Sequence, residues 1–197
     1  DSIEHLIPMI TYARDLTLFL TLLLVCPFGW GQRGPQDTWY LDKSIMPSGV
    51  SGIEAYDLVA TNDGKLLMVD NQGDRIIELD ANGTFVRTLA TSGTDDGFVK
   101  DPRALRIGPD GKVYVSDHAN HRIQVFERNG SLVRKFGQQG SADGQFIYPW
   151  GIAVSEAGEV FVADMNNHRI QVFDLNGTFL RKWGTQGNLE GQLNKPR

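Results

Sequence analysis

One cysteine, Cys26, stands in 197 residues. That scarcity excludes an intramolecular disulfide and any cysteine-rich zinc module, RING and B-box modules among them. Long apolar runs are missing too. The longest, Leu16 to Val25, is interrupted by Thr17 and Thr21 and falls short of the about 20 residues that a membrane helix needs, so no membrane span is expected. Excess positive charge is also lacking. Nineteen Lys and Arg against 24 Asp and Glu leave a net charge of −5, which argues against a nucleic acid or an anionic membrane as partner of the whole chain. The balance is uneven along the chain. Residues 56–102 hold four basic and nine acidic residues, 103–149 seven and four, 150–196 four and five. The middle segment's cations are Arg103, Arg106, Lys112, Arg122, Arg128, Arg134 and Lys135. Alternation of faces along strands spreads them over solvated edges rather than into one patch.

What the chain has is a period of 47. Asp70, Asp117 and Asp164 keep that spacing, as do Arg75, Arg122 and Arg169, Gly83, Gly130 and Gly177, and Pro102, Pro149 and Pro196. Asn120 to Phe126 and Asn167 to Phe173 are the same heptapeptide. A fixed period of this size denotes a solenoid, propeller or array.

Ahead of the repeats, residues 1–31 read as a signal-peptide-like segment. Met9 makes a sensible start, Arg14 supplies the positive region, Leu16 to Val25 the apolar region, and Gly29 and Gly31 the small residues before cleavage at Gln32. The expected location is therefore outside the cytoplasm, secreted or periplasmic. Residues 32–55 form a lead-in, with Thr38 to Leu41 as a candidate added strand.

Each repeat reads as four short strands. In the middle copy these are Ala104 to Ile107, Lys112 to Asp117, Arg122 to Glu127 and Ser131 to Phe136. Pro109-Asp110-Gly111 turns the first, and Asn129-Gly130 signals a two-residue type I′ hairpin. Val160 to Ala163 and Leu66 to Val69 leave no polar side, so these strands require sheets stacked on both faces. Four-stranded blades packed around an axis supply that, and the fold class is an all-β propeller of antiparallel blades over 56–102, 103–149 and 150–196.

The run Val-x-Asp-x-x-Asn-His-Arg-Ile-Gln-Val-Phe-x-x-Asn-Gly over Val115 to Gly130 and Val162 to Gly177 resembles the NHL repeat. The first copy departs from it, with Gly73-Asp74 in place of Asn-His. The resemblance implies a β-propeller, most often six-bladed, of which three blades are present. The chain is expected to be a fragment of such a propeller; the other arrangement is self-association of two chains to close a ring.

The pairs Asp70/Arg75, Asp117/Arg122 and Asp164/Arg169 recur in every copy, whereas a catalytic group is needed once, so a structural role is expected. His118, His121 and His168 lie on loops and do not present the convergent geometry of a zinc site, so no metal and no cofactor are expected. In the amidating lyase that NHL repeats resemble, histidines after the blade proline hold zinc. Arg103 and Trp150 stand there in this chain.

Arg103, Tyr148 and Trp150 are expected in the inter-blade connection, on one face with His118, Asn120, His121, Asn167 and His168. Arg and aromatics at a loop rim are recognition side chains. Asn82-Gly83-Thr84, Asn129-Gly130-Ser131 and Asn176-Gly177-Thr178 fit the glycosylation pattern, which the turn geometry alone would account for. The expected function is non-enzymatic recognition of a protein or other ligand on that face. The rivals are a metal-dependent lyase with ligands in further blades, and the substrate- or RNA-binding propeller of a tripartite-motif ubiquitin ligase.

Overall fold

A computed structural model describes residues 52–197. The signal-like segment, nearly all of the lead-in and the Thr38 to Leu41 strand candidate lie outside the described residues. Among the described residues twelve strands form three antiparallel sheets of four, each in simple sequence order. The first sheet holds β1 (Ala55–Ala60), β2 (Leu66–Asp70), β3 (Arg75–Leu79) and β4 (Phe85–Ala90). The second holds β5 (Pro102–Ile107), β6 (Val113–Asp117), β7 (Arg122–Phe126) and β8 (Leu132–Phe136). The third holds β9 (Pro149–Val154), β10 (Glu159–Asp164), β11 (Arg169–Asp174) and β12 (Phe179–Trp183). The fold is therefore all-β, with three propeller-type blades.

Two-sided burial follows the apolar pattern. Every residue of β6 and β7 is buried, while β12, a fourth and outermost strand, is mostly exposed. One core lies between the first and second blades, around Leu67, Val69, Leu105, Val115 and Phe126. A second lies between the second and third blades, around Tyr114, Ile123, Phe146, Val162 and Phe173. At about 25 cal/mol per Å² of apolar surface, such inter-blade contacts are what hold strands that are individually too short to be stable.

The sequence reading of the hairpins needs one correction. Gly130 N–H donates to Glu127 O and Glu127 N–H to Ser131 O, so the loop has three residues, Arg128 to Gly130. Gly130 has φ +93, and Asn129 is not among the positive-φ residues. This is a type I turn closed by a glycine bulge rather than a type I′ pair. Thr84 and Thr178 repeat the pattern with Asp80 and Asp174.

The blade's Asp and Arg lock the ends of the sheets. Asp117 accepts from the Lys100 N–H at 2.7 Å, from Asn120 Nδ2 at 3.0 Å, from Arg122 Nε at 2.7 Å and from Gln124 Nε2 at 3.0 Å. Burial pushes its carboxyl up, against the downward pull of the Lys100 amide, Asn120 and Arg122. Arg122 then reaches the preceding connection through Nη2, donating to Asp95 O at 2.7 Å and Phe98 O at 2.9 Å. Asp164 is held in the same way by Ile147 N–H, Asn167, Arg169 and Gln171, and Arg169 clamps Ala142 O and Gln145 O. In the first blade Asp70 takes Arg75 Nε at 2.6 Å and the N–H groups of Glu54 and Gly73. Gly73 thus replaces the missing Asn side chain with its own backbone.

Candidate functional site

The first strand of every blade carries a bulge near its start. Pairing skips between Ala55 and Asp57, between Pro102 and Leu105, and between Pro149 and Ile152. Bulges re-aim side chains, and the residues they set loose are Tyr56, Arg103 and Trp150, all 47 apart. Arg103 and Trp150 therefore lie inside β5 and β9 and not in the inter-blade connections where the sequence reading put them. Proline opens β5 and β9, a place where its missing N–H is tolerated.

These residues pack on one another. The Arg103 guanidinium carbon lies 4.5 Å from the Tyr56 ring centre and 4.4 Å from that of Trp150. Arg197, the next residue in the same series, lies 4.7 Å from Trp150 on the same criterion. The result is a ladder of alternating aromatic and guanidinium groups, Tyr56–Arg103–Trp150–Arg197. Each such contact contributes about 0.5–1 kcal/mol when exposed and more when desolvated. Stacking occupies the guanidinium faces and leaves in-plane N–H groups for other partners. Arg103 Nη2 donates to Asp101 Oδ2 at 2.7 Å, and its buried Nε has no partner among the described residues.

His118 joins this group. It begins a short 3₁₀ turn, His118–Asn120, and packs 4.9 Å from the Tyr148 ring and 5.2 Å, edge-on, from Trp150. Its Nδ1 lies 3.0 Å from Pro149 O. A carbonyl only accepts, so Nδ1 carries the proton and Nε2 keeps its lone pair in the neutral ring. Nε2 faces Asp101 Oδ2 at 3.8 Å. Burial, seconded by Arg103, lowers the pKa of His118 and favours the neutral form, against the opposing pull of the Pro149 carbonyl and Asp101.

The other sequence candidates divide. Tyr148, 37% exposed, stacks 4.5 Å from His121 and belongs to the group. His121 Nδ1 also accepts the Tyr148 backbone N–H. Asn120 and Asn167 belong to the carboxylate locks, where each also donates to a preceding connection, at Gly93 O and Gly140 O. His168 accepts the Lys195 N–H at 3.2 Å and lies a blade away from His118. Sequence reasoning missed Tyr56, Asp101 and Arg197. The period of 47 through Arg103 and Trp150 pointed to Tyr56 and Arg197; nothing in the sequence pointed to Asp101, whose aim depends on a left-handed backbone, φ +49. Among the described residues no three metal-ligating side chains converge.

The group differs from the locks in one respect: its members break the repeat. His118 corresponds to Asn71 and Met165, Asp101 to Glu54 and Tyr148, and Arg103 to Tyr56 and Trp150.

The NHL repeat model matches residues 100–126 and 146–173. The chain carries NHL repeats. The matched segments run through the inner strands, 3₁₀ turns and locks of the second and third blades. No curated protein matches the sequence. Similar solved structures include virginiamycin B lyase from Staphylococcus aureus, at 19% identity and TM-score 0.52 over 68% of this chain and 42% of that one. A protein of unknown function from Bacteroides caccae is similar at 19% identity and TM-score 0.54, over 74% and 52%. Hydrazine synthase from Kuenenia stuttgartiensis is similar at 16% and 0.54, over 75% and 40%. At these identities the likeness concerns the propeller fold. The NHL chain spans about half of those proteins or less.

Proposed function

We propose that this NHL chain is a non-enzymatic recognition module that binds a protein partner on the face built by Tyr56, Asp101, Arg103, His118, Tyr148 and Trp150. The observation that carries the reading is that chemically rich side chains replace one another at three repeat positions and collect on one face. Repeated residues are accounted for by the fold, and these are not. NHL propellers commonly bind proteins, and Arg, Trp and Tyr are the residues in which binding energy concentrates. The faces of Arg103 are stacked, so its contribution to a partner comes through in-plane hydrogen bonds, which are directional and suit carboxylate or carbonyl acceptors.

The test is affinity capture with the full chain against Arg103→Gln and Tyr148→Ala, with Ser131→Ala on the far hairpin as control. A specific partner should be lost at least tenfold in the first two and retained in the third. Equal capture by all three would remove the reading.

A second, enzymatic reading is favoured by His118 alone. Its Nδ1–H is fixed on a carbonyl and its Nε2 lone pair is free, the arrangement of an oriented general base. Similar folds include virginiamycin B lyase, of which a histidine-to-alanine form is catalytically inactive. Incubation of the full chain with quinupristin, followed by mass spectrometry, tests that activity directly. Turnover abolished by His118→Ala supports it, and an unchanged substrate opposes it.

A further inference from the structure

Three outer hairpins carry the same tripeptide type: Asn82-Gly83-Thr84, Asn129-Gly130-Ser131 and Asn176-Gly177-Thr178. The turn geometry accounts for only part of it. The glycines adopt φ +81, +93 and +84, which other residues adopt rarely, whereas none of the three asparagines has positive φ. The backbone thus requires the glycine, but neither the asparagine nor the hydroxyl residue two places later.

Capping explains the asparagine in one blade and not in the others. Asp80 Oδ1 accepts the N–H groups of Asn82 and Thr84 at 2.9 and 2.8 Å, and Asp174 Oδ1 those of Asn176 and Thr178, both at 2.8 Å. In the second blade Glu127 stands at the aspartate position, and Asn129 Oδ1 itself takes the Ser131 N–H at 2.9 Å. Among the described residues Asn176 bonds only through its oxygen, which accepts from Arg134 Nη1 at 2.8 Å, and Nδ2 is left over. The side chain of Asn82 makes no hydrogen bond to a described residue. All three asparagines are exposed.

We propose that Asn82 and Asn176 are acceptors of N-linked glycans, and that Asn129 is a poorer one because its side chain caps the turn. The donor class is a lipid-linked oligosaccharide diphosphate. The amide Nδ2 forms a bond to the anomeric carbon, the bond from that carbon to the diphosphate oxygen breaks, one amide proton passes to a base, and the lipid diphosphate leaves. The proposal rests on the export expected from residues 9–31 and is independent of the recognition reading.

The placement is compatible with a working site. The hairpins lie at the Phe126–Leu132 end of each sheet, opposite the end where Pro102, Asp117 and Arg122 meet. Glycans there would flank the far rim and leave Arg103 and Trp150 open.

The experiment is expression of the full chain, with its own N-terminus, in a eukaryotic secretory host, alongside the same chain behind a supplied secretory leader. Intact mass and peptide mapping before and after peptide-N-glycosidase locate the sites. Glycan at Asn82 and Asn176, with lower occupancy at Asn129 and none in the Asn82→Gln, Asn176→Gln double variant beyond Asn129, is the expected result. A secreted chain bare at Asn82 and Asn176 overturns the acceptor assignment. A chain that enters the pathway only behind the supplied leader overturns its physiological basis.

Discussion

The backbone N–H of Tyr148 donates to Nδ1 of His121 at 3.0 Å, and both residues sit in the left-handed region, with φ +59 and +55. The relation repeats 47 residues later, where Lys195 N–H meets His168 Nδ1 at 3.2 Å. It repeats 47 residues earlier with a change of chemistry, where Asp101 N–H meets Asp74 Oδ1 at 2.7 Å. The repeat's histidine is thus an acceptor that fixes a strained corner just before the blade proline. The first blade, degenerate by sequence, keeps the acceptor by using a carboxylate.

His121→Asp should therefore be tolerated, since aspartate both accepts and accommodates the left-handed region. His121→Leu leaves the Tyr148 N–H without its partner and should cost about 1–3 kcal/mol. His121→Val should cost more, because a β-branched residue resists φ +55. Urea melts of the full chain distinguish the three.

Stability should also fall with acid in a window set by histidine. Burial lowers the pKa of both His118 and His121 below the usual value. Between that folded value and the unfolded one of about 6.5 the unfolded chain binds more protons. The contribution is complete above about pH 6.5 and is lost as pH falls through the window. Asp117 and Asp164 face His121, and Asp101 and Arg103 face His118. Melting temperatures from pH 7.5 down to 5 should drop in the wild type, and drop less in a His118→Gln, His121→Asp variant.

How much of this was legible in the sequence varies by residue. The period, the blade strands and the Asp/Arg pairs follow from spacing, because a repeat shows which residues the fold reuses. Loop spacing places Asn120 and Asn167 on the recognition face. Their side chains turn inward to Asp117 and Asp164, a direction that loop spacing does not encode. Arg103 and Trp150 were singled out, but their mutual stacking depends on the strand bulges, and a bulge is a property of pairing between strands. The dipeptide Asn129-Gly130 reads as a type I′ pair, which needs positive φ at both residues, while the three-residue loop gives that burden to Gly130 alone.

The locks make a prediction of their own. Arg169→Leu leaves Asp164 buried with its strongest partner gone and also frees Ala142 O and Gln145 O, so about 3–5 kcal/mol should be lost. Arg75→Leu should cost less, since Arg75 is 29% exposed against 7% for Arg169. Parallel denaturant titrations give the comparison.

Glycine at the far hairpins is required for two reasons. A Cβ on Gly177 would lie 2.6 Å from Phe136 of the neighbouring blade, at φ +84. Gly177→Ala should therefore destabilise by about 1–3 kcal/mol. Gly83→Ala, with φ +81 but open space around it, should cost only the backbone term, about 1–2 kcal/mol, and less than Gly177→Ala.

The central claim is that repeated residues carry the fold and the residues that break the repeat carry recognition. The most direct measurement pairs Arg169→Leu with Arg103→Gln, reading melting temperature and partner affinity on the same preparations of full chain. The account predicts a lowered melting temperature with affinity per folded molecule retained in Arg169→Leu. It predicts at least tenfold weaker binding in Arg103→Gln, with a smaller fall in melting temperature than in Arg169→Leu because only the ring contacts and the Asp101 pair are lost. The reverse pattern, or binding indifferent to Arg103, would contradict it.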